Sequence, residues 1–171
     1  MRRLEEIRLV NWHSFGDETI RVEGDVLLTG ENGTGKSTIL DAVQYALVAD
    51  LSLVRFNQAA NETGRRDLVG YIRGKEKLRD ARRPDEVRFR RAASTSHVML
   101  RFGDDADPSH SFLCGIVMEV SEGDPMPVRH HLYGLAGRSC ECLRSLRMGT
   151  RSPHASFATR CASSGPWFTP T

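Results

Sequence analysis

No apolar run in the sequence approaches 18 residues, so no membrane-spanning helix is expected. The N-terminal residues Met1-Arg2-Arg3-Leu4-Glu5-Glu6 lack the long apolar stretch of a secretory signal, and a cytoplasmic location is expected. Cysteine is scarce. Cys114, Cys140, Cys142 and Cys161 are the only four. Cys140-Glu-Cys142 has a single intervening residue, where zinc knuckles use two to four, so reduced, unpaired thiols are expected. His97 and His130-His131 have no carboxylate or cysteine at helix-ligand spacing and read as strand or loop residues. There is no heptad stretch and no internal repeat, and no Ser-His-Asp or Cys-His set can be assembled from the pattern.

Another set of absences is local. From Leu135 to Thr171 there is no Val, Ile, Lys, Asp, Asn or Gln, whereas Arg, Ser, Cys and Pro are plentiful. So few β-branched apolar residues bury little surface, and 135–171 is expected to be a disordered tail behind a domain at 1–134. A reading frame shifted near this point would leave the same composition. The codons for 128–138 decide it: an adjacent frame with no globular continuation would refute the shift.

What is present suits one soluble, globular domain. The chain has 171 residues, 39% apolar and 27% charged. The net charge of +2 conceals blocks of opposite sign. Residues 1–54 carry five basic and nine acidic side chains, and residues 55–101 carry thirteen and six. Residues 102–134 carry one and six, and 135–171 carry five and one.

Alternation predicts strands over 4–10 and 18–22, joined by a turn at Asn11–Asp17 that holds Trp12 and Phe15. Trp12 and Phe15 read as core residues more than as adenine platforms. After the tight turn Glu23-Gly24-Asp25, the continuous run Val26-Leu27-Leu28-Thr29 reads as a strand covered on both faces. From Lys36 to near Asp50 the spacing of Ile39, Leu40, Val43, Ala46 and Leu47 predicts a helix with that face inward. Gln44 falls within this helix and reads as a packing residue. Residues 51–64 read as a loop, 67–73 as a short helix and 75–84 as a charged, mobile excursion. Strands are expected over 95–102 and 112–120, with a hairpin connection between them, and over 128–133.

Gly30-Glu31-Asn32-Gly33-Thr34-Gly35-Lys36-Ser37 fits G-x-x-x-x-G-K-[ST]. Glycines let the backbone curl so that successive N–H groups point at phosphate oxygens, and the following helix aims its positive end at the same anion. Lys36 would reach the β- and γ-phosphates of ATP, the Ser37 hydroxyl would coordinate Mg²⁺, and Thr38 could reach the α-phosphate. Four fixed positions recur by chance in roughly 1 in 200 chains of this length. The apolar run before the loop and the helical pattern after it supply the strand–loop–helix frame that a chance match lacks.

The G-x-N-G-x-G-K-S form, with Thr38-Ile-Leu40-Asp41-Ala42 after it and Leu9-Val10-Asn11-Trp12-His13-Ser14-Phe15 ahead of it, resembles the N-terminal half of SMC-like ATPases such as RecF, SbcC, MukB and the SMC proteins. Phe56–Asn61, Arg66–Gly74 and Thr95–Val98 look like the JetC ATPases of Wadjet plasmid-defence systems. The resemblance covers about 4–134. It implies an α/β fold: the N-terminal lobe of an ABC/SMC-type head, with a mixed β-sheet, a P-loop helix and an antiparallel β excursion. It implies ATP and Mg²⁺ as ligands and His13 and Ser14 as further nucleotide contacts. Relatives often have Lys or Arg where His13 stands, so a neutral imidazole here would lose a fixed cation.

In this family two heads sandwich two ATP molecules, and the acidic Walker B pair and signature motif lie in a C-terminal segment beyond a coiled coil. No run of four apolar residues here ends in Asp-Glu. The expected partners are therefore that C-terminal half of the head, other subunits of the complex, and DNA. The basic block at 55–91, with Arg65, Arg66 and Arg73 in the recognisable segment, is either a DNA-facing surface or a solvated charged loop. Three readings stay open: a head fragment that binds ATP without turning it over alone, a small complete P-loop NTPase or kinase, and a truncated remnant. Turnover separates the second from the others, and a melt with Mg-ATP separates a folded binder from a remnant.

Overall fold

The computed structural model describes residues 1–54, 56, 67–77, 87–122 and 129–136. The chain divides into two units, Met1–Ser139 and Cys140–Thr171, and the second lies outside the described residues. Among the described residues, seven strands and two α-helices run in the order β1 (Arg2–Val10), β2 (Asp17–Arg21), α1 (Lys36–Val48), α2 (Leu68–Arg73), β3 (Lys75–Lys77), β4 (Val87–Phe89), β5 (Ser94–Asp104), β6 (Phe112–Val120) and β7 (Arg129–Ala136). Five strands form one sheet in the order β2-β1-β5-β6-β7, and β3 pairs with β4 in a separate ribbon.

Every pairing is antiparallel, so the mixed sheet expected from the resemblance is not found among the described residues. The reason lies at Val26–Thr29. This run forms no strand, and Val26 and Leu27 are 50% and 84% exposed. An apolar run becomes a covered strand only when neighbours accept its backbone bonds on both sides. None of the described strands flanks it.

Register explains why the sheet is buried at its centre. Leu9, Val98 and Ile116 are cross-strand neighbours, as are Ile7 and Leu100 two pairs along, so these side chains share a face. They join Trp12, Ala42, Tyr45, Tyr71 and Ile72 in one core. The alternate positions Arg8, His97, Met99, Leu113, Val117 and Tyr133 are buried too. Arg8 reaches the sheet edge with a two-pronged bond to Asp17, at 2.9 Å and 2.8 Å.

Helix α1 begins at Lys36 and ends at Val48, with Ala49 as a left-handed cap. The inward face differs from the apolar periodicity. Thr38, Asp41, Ala42, Tyr45 and Ala46 are buried, whereas Leu40 and Leu47 are 58% and 59% exposed. Gln44 faces solvent. The aromatic cluster decides this rotation. Phe56 packs edge-on against Trp12 and Tyr45, and the Tyr71 hydroxyl donates to the buried Asp41 carboxylate.

Helix α2 starts as its sequence indicates, with the Asp67 side chain accepting from the Gly70 N–H. The stretch read as a mobile excursion from Lys75 begins as strand, since Lys75–Lys77 pairs with Val87–Phe89. The last strand runs through Leu135 and Ala136, two residues into the stretch assigned to the tail. Cys114 is a free, half-buried thiol on β6, and burial pushes its pKa up. No helix among the described residues is long and apolar enough to cross a membrane.

Three carboxylates, the exposed Asp50 and the half-buried Asp104 and Asp107, are held below the ordinary 3.8 by hydrogen bonds. Asp50 accepts from the Ser52 hydroxyl and N–H, Asp104 from the Ala106 N–H and the terminal amine, and Asp107 from the Ser109 hydroxyl and N–H. Depressed folded-state values make their contribution full above the unfolded pKa and lost as pH falls through the folded ones. Carboxylate-detected NMR should therefore give midpoints below 3.8 for all three, with the urea midpoint dropping only below about pH 4. Midpoints at or above 3.8 would show that these turns do not form in solution.

Candidate functional site

The loop at 30–35 joins the extended run 26–29 to α1. Gly30, Gly33 and Gly35 have φ of 143°, 90° and 97°. Thr34 closes a turn on the Glu31 carbonyl through its N–H at 3.4 Å and its hydroxyl at 2.9 Å. The first helical bond runs from the Ile39 N–H to the Gly35 carbonyl at 3.0 Å. No side chain caps the helix start. A helix beginning this way directs its first-turn amides and the positive end of its dipole into the loop. The Lys36 ammonium folds over the same loop and donates to the Gly30 and Glu31 carbonyls, at 2.7 Å each.

The candidate ligands fall into three groups. Gly30, Glu31, Asn32, Gly33 and Thr34 are exposed, Gly35, Lys36 and Ser37 are half-buried, and Thr38 is buried. The loop therefore opens to solvent, while its helix end is anchored. This donor set fits a Mg-nucleotide: turned backbone, an uncapped helix start, one ammonium, and a hydroxyl at the second helical position.

The turn at 11–15 anchors that end. The Trp12 indole N–H donates to the Thr38 carbonyl at 2.9 Å. The indole is fully buried and stacks on Tyr71 at 4.6 Å, so Trp12 is a core residue. The Phe15 ring lies against Gly35, where a Cβ would stand 2.9 Å from its Cζ. Asn11 and His13 adopt left-handed φ of 50° and 51°. His13 is half-buried with its ring 5.7 Å from that of Tyr71, and its backbone N–H donates to the Tyr71 carbonyl at 2.6 Å. Ser14 is exposed. The turn thus sits beside the loop, and His13 itself is tied to α2.

Sequence reasoning missed a cation. Arg91 donates through Nη1 to the carbonyls of Asn11, His13 and Ile72, at 3.4, 3.1 and 3.3 Å, and through Nη2 to that of Phe15 at 3.4 Å. Burial first, and then the neighbouring Arg90 charge, pull its pKa down. Arg91 belonged to the basic block, and no local pattern marks a side chain whose acceptors lie 76 to 80 residues away in the turn.

Of the candidate DNA residues, Arg65 and Arg66 lie outside the described residues. Arg73 is half-buried, donates to the Ser121 carbonyl at 2.6 Å and lies over the Phe89 ring at 5.6 Å. It is tied to the protein's own surface and does not gather with the loop.

Gly35 combines a left-handed φ with an aromatic neighbour. Gly35→Ala is expected to lower unfolding stability by about 1–3 kcal/mol and to weaken Mg-ATP binding, read by urea denaturation and calorimetric titration. A variant as stable and as tight-binding as the parent would mean that this backbone does not adopt the described turn.

A family model described as the P-loop containing region of AAA domain matches residues 4–63. The match covers most of β1, the 11–15 turn, β2, the loop and all of α1, and it supports a P-loop segment similar to those of nucleotide-binding ATPases.

Proposed function

We propose that the chain binds Mg-ATP as the N-terminal part of an SMC-like, DNA-processing ATPase head, and that it does not hydrolyse ATP alone. The observation that carries the binding is the loop itself: left-handed glycines leading into an uncapped helix, with Lys36 folded over the turn. Lys36 would leave the two carbonyls for the β- and γ-phosphates, and the loop amides and helix start would hold their charge. Ser37 would hold Mg²⁺, which neutralises phosphate charge when bound. His13 and Ser14 would border the same nucleotide, and Thr38, already fixed by its carbonyl, would lie nearest the α-phosphate.

Two features support a missing partner. Among the described residues, the run Val26–Thr29 has strand-like composition without a strand neighbour, and Leu40 and Leu47 of α1 are exposed apolar side chains. Both suit a further segment of sheet and core, which in the resembling family is the C-terminal half of the head. DNA contact would fall to the basic segment around Arg65, Arg66 and Arg73, in the assembled complex. Nothing in the pattern supplies an apolar strand ending in Asp-Glu to activate water.

Mg-ATP is expected to raise the thermal midpoint of the parent chain. Lys36→Ala should abolish that shift and weaken binding by at least about tenfold while leaving the unliganded fold intact. Equal midpoints with and without Mg-ATP in the parent would overturn the assignment. DNA affinity by fluorescence anisotropy should fall steeply between 50 and 200 mM salt, on the order of tenfold or more. A flat titration would remove DNA from the proposal.

A further inference from the structure

Arg91 is a half-buried guanidinium that meets no carboxylate among the described residues. A cation out of water needs compensation, and here carbonyl oxygens from Asn11, His13, Phe15 and Ile72 supply it. Three of the four belong to one turn. That turn touches the phosphate loop and the helix it leads into at two points: the Phe15 ring on Gly35 and the Trp12 indole on the Thr38 carbonyl in the first turn of α1. On the other side, the backbone N–H of Arg91 donates to the Arg73 carbonyl at 3.1 Å. Gly74 approaches the His13 carbonyl so closely that a Cβ there would come within 2.8 Å of it. The turn is therefore held from behind by Arg91 and the end of α2, and in front it holds the loop.

We propose that Arg91 is a positioning residue for the nucleotide site: by fixing the carbonyls of the 11–15 turn, it sets Phe15 and Trp12 and so aims the amides of the phosphate loop. This rests on the Mg-ATP reading above and adds a residue far from the motif. The planar fork of Arg spans several acceptors, whereas Lys offers one compact ammonium that cannot reach all four. Arg91 lies two residues beyond the end of β4, so its bonds to the turn also connect the ribbon β3–β4 to the structure that holds the loop.

The test is Arg91→Lys in the full chain, at a temperature where the unliganded variant is fully folded. Calorimetric titration with Mg-ATP and with inorganic triphosphate should show roughly tenfold weaker binding of both, the size expected for losing one bond from a charged donor. Amide hydrogen exchange of Gly33–Lys36 in the unliganded variant should quicken while that of β5 and β6 stays unchanged. A merely stabilising role would move neither readout at that temperature. Phe15→Leu should give a similar loss, and the double variant should be no worse than the worse single one, because both act along one path.

Unchanged affinity and exchange in folded Arg91→Lys, or fully additive losses in the double variant, would overturn the proposal. If Arg91→Lys fails to fold, Phe15→Leu decides: parental affinity and loop exchange there would overturn it equally. A parent chain that binds neither Mg-ATP nor triphosphate would refute the nucleotide reading, and the exchange comparison would still report whether Arg91 fixes the loop.

Discussion

The Trp12 indole joins three parts of this protein that have no sequence proximity. It follows β1, stacks on Tyr71 of α2 and donates its single N–H to the Thr38 carbonyl in the first turn of α1. An indole buried this completely combines a large apolar area with one directional bond. Its position therefore fixes the start of α1 relative to the sheet, and the phosphate loop is attached to that start. The rotation of α1 follows from the same packing. Tyr45 and Asp41 turn inward to meet Phe56 and Tyr71, and Leu40 and Leu47 are turned out as a consequence.

The electrostatic design follows from that placement. Backbone amides and the helix dipole give the loop a fixed positive character without a buried side-chain charge. Lys36 adds a movable one, satisfied by the loop's own carbonyls. Arg91 adds a second cation, committed to backbone acceptors on the far side of the turn. The site thus separates a charge that can move to a ligand from one that holds the scaffold. Glu31, the one acidic residue in the motif, meets Lys36 through its carbonyl.

Much of this was readable from residue order. Alternation located β1 and β2, strands were expected where β5 and β6 form, the P-loop motif located the loop, and a short helix was expected where α2 lies. Those signals are local: a period, a turn residue, a motif. The misreadings concern places where a distant element decides. Val26–Thr29 has the composition of a covered strand but no described strand beside it. The α1 periodicity favoured the leucines, and the aromatic cluster contributed by Trp12, Phe56 and Tyr71 outweighed it. Arg91 looked like one member of a basic block, and its role exists only because β5 returns beside β1. The pairing of Val10 with His97 brings that return to the 11–15 turn.

The central claim is that the loop at 30–35 and the first turn of α1 form a cradle for phosphate whose shape is held by the 11–15 turn. Amide NMR of the full chain with inorganic triphosphate and Mg²⁺ tests it most directly. The account predicts the largest shifts at the amides of 33–38, with a coupled shift of the Trp12 indole N–H as the Thr38 carbonyl responds. Shifts confined to the basic ribbon at 75–77 and 87–91, with the loop and the indole unmoved, would contradict it.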